Sequence, residues 1–99
     1  MTDREKIDFI SEALDVTESL IQLAEECSEL SAMAAKYIRS LNGRNPTPLN
    51  SDQIMERITE EFSDVKLCVD VLENRLPYGS IYRRKLERWV NRLKAKHGG

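Results

Sequence analysis

The sequence predicts an all-α protein, a four-helix bundle of two long antiparallel helices and two shorter ones. Three observations carry this expectation. Apolar residues recur at three- and four-residue spacing through most of the chain. Breakers are few and clustered: proline occurs only at Pro46, Pro48 and Pro77, and glycine at Gly43, Gly79 and the two C-terminal positions. No segment shows the apolar–polar alternation of a half-buried strand.

Each helix follows from local signals. The first is expected from about Arg4 to Leu14, with Ile7, Ile10 and Leu14 on one face. Asp15 or Thr17 caps the second, since Asp15 and Glu18 have capping-box spacing. This helix runs to about Leu41 and stops at Asn42-Gly43. "NGRNPTPLN", Asn42 to Asn50, reads as a long loop. Asn50 or Ser51 caps the third helix, with Gln53 three residues after Asn50, and the helix ends near Arg75, before Pro77. After the break "LPYGS", Ser80 caps a fourth helix that continues to about Lys96.

At 99 residues the chain has room for a single domain, 1–99. A monomer of this size buries only about 60–65% of its unfolded surface, so oligomerisation is expected to complete the core. The net charge is −2, but it is unevenly spread: seven basic residues and one acid, Glu87, lie between Arg83 and Lys96. The two cysteines, Cys27 and Cys68, form no short-spaced disulfide framework. No positively charged start precedes an apolar stretch, and no apolar run approaches membrane-spanning length. The expectation is a cytoplasmic protein with no membrane partner. Slight overall acidity and the lack of a recognition motif argue against nucleic acid as the partner of the basic last helix.

Two segments repeat one pattern. "LAEECSEL" (Leu23–Leu30) and "ITEEFSDV" (Ile58–Val65) each place Glu-Glu, one residue, Ser and an acid between apolar residues. On the second helix the apolar stripe comprises Leu20, Leu23, Ala24, Cys27, Leu30, Ala34, Ile38 and Leu41, with Glu26 and Glu29 beside one edge. On the third it comprises Ile54, Ile58, Phe62, Val65, Val69, Leu72 and Leu76, with Glu61 and Asp64 beside one edge. Each acidic pair is spaced by three, so its carboxylates are neighbours on the helix surface. A loop of about ten residues favours an antiparallel hairpin in which the pairs face each other at heights differing by roughly one turn. Four facing carboxylates favour either protonation or a cation, and oxygen-only donors select Mg2+, with Mn2+ as the alternative. Zinc would want His or Cys; the one histidine, His97, is in the tail, although Cys68 follows Asp64 by four.

Glu25-Glu26-x-x-Glu29 followed by Glu61-x-x-Asp64 resembles the EExxE…ExxD signature of the MazG-like all-α nucleoside triphosphate pyrophosphohydrolases. "YRRKLERW" on the last helix resembles the family's Lys-x-x-Arg stretch, so the resemblance runs from about Leu20 to Trp89. It implies a MazG-like bundle, a homodimer or homotetramer, and Mg2+-dependent hydrolysis of an NTP or dNTP to the monophosphate and pyrophosphate, as in nucleotide-pool cleansing. Glu26, Glu29, Glu61 and Asp64 would be metal ligands, and Glu25 and Glu26 the catalytic carboxylates. Lys85 and Arg88 would contact phosphate, and Lys36, seven residues after Glu29, could also reach one. The alternatives are a phosphoribosyl-ATP pyrophosphohydrolase of the same superfamily and a non-catalytic helical interaction module. Arg57, one turn before Glu61, reads as an ion-pair partner of Glu61 or Asp64. Trp89 reads as core with Leu86, Val90 and Leu93, and Tyr37 as a nucleobase contact.

Overall fold

The computed structural model describes residues 1–43 and 49–98 and contains four α-helices, with no strand among the described residues. Helix α1 spans Asp3–Ala13, α2 Val16–Asn42, α3 Ser51–Leu72 and α4 Gly79–Lys96. A single 3-10 turn, Glu73–Arg75, closes α3. The expected loop lies largely at residues 44–48, outside the described residues.

Side chains satisfy the exposed N–H groups at three helix starts. Capping boxes pair Thr2 with Glu5, Asp15 with Glu18 and Asn50 with Gln53. The first helix thus begins one residue earlier than the apolar pattern suggests, because Thr2 caps it. Gly43 closes α2 at φ 65°, a left-handed conformation that costs glycine little. Ser80 is not a cap. The chain turns at Leu76–Tyr78, where Tyr78 N–H donates to the Leu76 carbonyl at 2.8 Å, so α4 has already started at Gly79.

Helices α2 and α3 form the expected hairpin, and α1 lies against α3. Arg75 donates to the Ser11 carbonyl, and Arg4 pairs with Glu73 at 3.4 Å, fastening α1 beside the end of α3. The hairpin seam follows a heptad pattern. Ser19, Leu23, Glu26, Leu30, Met33, Tyr37 and Ser40 are the covered positions of α2, spaced alternately by four and three. Their counterparts on α3 are Ile54, Ile58, Glu61, Val65, Cys68 and Leu72. Ile54 and Leu72 are fully enclosed.

The single apolar stripe expected on each long helix is therefore two seams. Leu23 and Leu30, with Ile54, Ile58, Val65 and Leu72, face the hairpin. Leu20, Ala24, Cys27, Ala34, Ile38 and Leu41 on α2 remain exposed, as do Met55, Phe62 and Val69 at seven-residue intervals on α3 and Leu76 just beyond it. One hairpin partner can cover only a narrow strip of a helix whose apolar face is wider.

Helix α4 is not packed into a bundle. Every residue of it is exposed, including Trp89 at 61%. Trp89 is thus not core within the chain, contrary to the expectation above. Tyr82, Leu86, Trp89 and Leu93 repeat the heptad spacing on its uncovered face. The radius of gyration is 17.5 Å, against about 13 Å for a compact chain of this length. The accessible surface is 7898 Å2, roughly 2,100 Å2 above that of a compact monomer of the same mass.

A candidate metal centre between two cavities

The rotated seam alters the setting of the acidic pairs. Glu26 and Glu61 occupy covered heptad positions where apolar residues would otherwise interdigitate. One carboxylate oxygen of each, Oε2, is sealed from solvent without a hydrogen-bond partner. Glu29 reaches into the same space: Glu26, Glu29 and Glu61 each offer an oxygen, all within 4.8 Å of one another. Glu26 also accepts from Gln22 Nε2 at 3.0 Å.

The electrostatics reflect this crowding. Partial desolvation, then the charges of Glu29 and Asp64, push the Glu26 carboxyl above its ordinary range. The adjacent Glu61 pushes Glu29 up, with Asp64 adding to it. The Cys68 thiol is pushed up by burial and by Glu26 and Asp64, so it stays protonated. The three donors that converge are all carboxylate oxygens, and Cys68 is not among them.

The expected residues divide into those brought together and those left apart. Glu26, Glu29 and Glu61 converge. Asp64 lies outside that tight group but acts on both Glu26 and Glu29. Glu25 is exposed and outside the cluster. Lys36 is half-buried, two helical turns beyond Glu29. Lys85 and Arg88 stand on the detached α4. Tyr37 occupies the hairpin seam about 16 Å along α2 from Glu26, away from the cavity described next.

Two cavities flank the carboxylates along the hairpin. Toward α1, a cavity of about 280 Å3 shares Glu26 with the cluster, is also lined by Asp64, and has an apolar wall of Ile10, Leu14, Leu67 and Val71. Ser19 and Gln22 supply further polar groups, and Cys68 completes it. Toward the loop, a groove of about 390 Å3 holds Arg57, Glu56, Glu60 and Glu61, with Met33 and Gln53. Arg57 makes no ion pair with Glu61 or Asp64, so the expected pairing is not formed. Arg57, expected only as an ion-pair partner, and Ser19, not marked at all, are the two residues whose setting differs most from expectation. The spacing of Arg57 one turn before Glu61 was a usable signal; nothing in the sequence marked Ser19.

No protein-family model matches the chain, and no curated protein or solved structure matches it. The motif resemblance and the geometry above are therefore the ground for the functional reading. No helix among the described residues is long and apolar enough to cross a membrane.

Proposed function

We propose that the chain is a Mg2+-dependent nucleoside triphosphate pyrophosphohydrolase of the MazG-like type, producing a monophosphate and pyrophosphate, with Mn2+ able to replace Mg2+. The observation that carries the reading is the approach of Glu26, Glu29 and Glu61 within 4.8 Å, with sealed, unpartnered oxygens on Glu26 and Glu61. Such oxygens lack the partners that buried polar atoms normally have, and a cation would supply one. Glu26, Glu29 and Glu61 would hold it, with Asp64 beside them. When bound, a divalent cation supplies neutralisation of phosphate charge and makes water more acidic.

The chain's own residues account for the rest. Water adds to the α-phosphorus, the bond from that phosphorus to the α–β bridging oxygen breaks, and the water's proton passes to a carboxylate. Glu26, which borders both the cluster and the cavity toward α1, would be the nearest carboxylate for that acceptor role. The resemblance also implies a catalytic role for Glu25, which is exposed and outside the cluster. Arg57, which has no ion pair among the described residues and lines the groove beside Glu61, would bind the departing pyrophosphate. Lys85 and Arg88 would join only through association between copies.

A homo-oligomer belongs to the same proposal. The uncovered seams of α2, α3 and α4, and a surface excess of roughly 2,100 Å2, match what an extensive obligate interface buries. We place the protein in the cytoplasm, where its two free thiols would stay reduced.

The test is pyrophosphate release from a panel of NTPs and dNTPs with and without Mg2+. Release by the wild type, lost in Glu26→Gln with helicity retained, supports the reading. One observation favours a second reading, a non-catalytic helical interaction module: α4 presents an uncovered apolar and basic surface. No pyrophosphate from any triphosphate, together with no divalent-ion stabilisation, would favour that module.

A further inference from the structure

The two oxygens of Glu26 are held differently. One, Oε1, accepts a hydrogen bond from Gln22 Nε2 at 3.0 Å, across one turn of α2. The other, Oε2, is sealed from solvent and has no partner. The same carboxylate brings an oxygen within 4.8 Å of Glu29 and Glu61. A glutamine and a glutamate one turn apart are an ordinary helix-surface pair, and such a pair adds a little helix stability. On an open surface, however, water reaches both carboxylate oxygens. At Glu26 it does not, so the bond from Gln22 has a second consequence.

The last torsion of a glutamate side chain is soft, and the carboxylate plane turns easily about it. A donor fixed to one oxygen sets that plane, and with it the place of the other oxygen. Gln22 does this from an exposed position at the edge of the cavity toward α1. Its chemistry suits the task, because an amide orients a carboxylate without cancelling its charge. A lysine there would compete with a cation for Glu26, and a glutamate would repel it and offer no hydrogen. The equivalent position on α3, one turn before Glu61, is Arg57, which makes no ion pair with Glu61. Among the described residues, neither facing glutamate is neutralised by a basic side chain.

We propose that Gln22 is a positioning residue of the metal centre: its amide holds the Glu26 carboxylate in the plane that turns an oxygen toward Glu29 and Glu61. It acts through Glu26 and not on the cation itself. The inference rests on the metal reading above and extends it one residue outward from the ligands. Partners that hydrogen-bond a ligating group typically contribute about ten- to hundredfold to metal affinity.

The experiment is a titration of the full chain with Mn2+ alone, without nucleotide, in which free Mn2+ is read by electron paramagnetic resonance. Wild type is compared with Gln22→Met, which keeps the side chain's length and helix propensity and removes the donor. Because Gln22 is exposed, the variant should fold, with the metal-free melting temperature within about 4 °C of wild type. Mn2+ binding should weaken at least about tenfold. A purely structural role would move the melting temperature and leave the Mn2+ affinity alone. Mn2+ binding by wild type with a smaller loss in Gln22→Met keeps the metal reading and overturns this inference alone. A loss accompanied by a larger fall in metal-free melting temperature assigns Gln22 to the fold and also overturns it. No Mn2+ binding by wild type removes the metal reading and this inference together.

Discussion

Glu26 of α2 and Glu61 of α3 meet across the hairpin at covered heptad positions, each with one oxygen sealed and unpartnered. Two such carboxylates repel without a cation and are joined by one. Millimolar Mg2+ or Mn2+ should therefore raise the melting temperature, by about 2.7 kcal/mol of stability at a hundredfold excess over Kd. Glu61→Gln should abolish that response while raising the melting temperature of the metal-free chain. A thermal scan with and without EDTA checks both signs.

Acidity acts on the same cluster. Glu26 and Glu29 titrate above the ordinary carboxylate value of 4.5, the first chiefly through desolvation, the second chiefly through Glu61. The folded state thus holds protons that the unfolded chain releases. Stability from these groups is full below the unfolded value and is lost as pH rises through the folded values. Glu5, lowered by its bonds to Thr2, has the opposite sign, its contribution being lost on acidification. Subtracting the Glu26→Gln urea-denaturation profile from wild type isolates the cluster: the difference should favour wild type more at pH 4.5 than at pH 7.

Buried positions should respond unequally to alanine. Ser19→Ala removes an unpartnered hydroxyl, so the chain should gain up to about 1 kcal/mol or stay unchanged. Leu72→Ala empties an enclosed seam position, at a cost of about 2–5 kcal/mol. Urea midpoints should place Leu72→Ala well below wild type and Ser19→Ala at or above it.

Association between copies should depend on the uncovered seams. Trp89→Lys or Phe62→Lys, at positions 61% and 59% exposed within one chain, should leave helicity intact and weaken self-association by about 30-fold or more. Sedimentation equilibrium across a concentration series measures this. A monomeric wild type at high concentration contradicts the account of these seams.

Much of the architecture was legible because it rests on local chemistry. Asp15 and Asn50 announced their caps, and Asn42-Gly43 and Pro77 announced their stops. Convergence of Glu26, Glu29 and Glu61 followed from spacing and hairpin geometry, whereas Asp64, expected with them, stays outside the tight group. Which strip of each helix would pack was not legible. Leu20 and Leu23, or Phe62 and Val65, are equally apolar, and only the register between helices decides which is covered. For the same reason Glu26 and Glu61 were read as flanking the seam when they lie within it. The Ser19 cavity was hidden because it forms where three helices meet, with Ile10 of α1 and Leu14 just after it closing one side. Arg57 was read as neutralised because nearest-neighbour spacing allows a pair that the geometry does not make.

The central claim is that the glutamates at the hairpin hold a hard cation for hydrolysis of a nucleoside triphosphate. Pyrophosphate release by wild type and Glu61→Gln, with Mg2+ and with EDTA, tests it most directly. The account predicts release only from wild type with Mg2+. Equal release from Glu61→Gln, or release undiminished by EDTA, would contradict it.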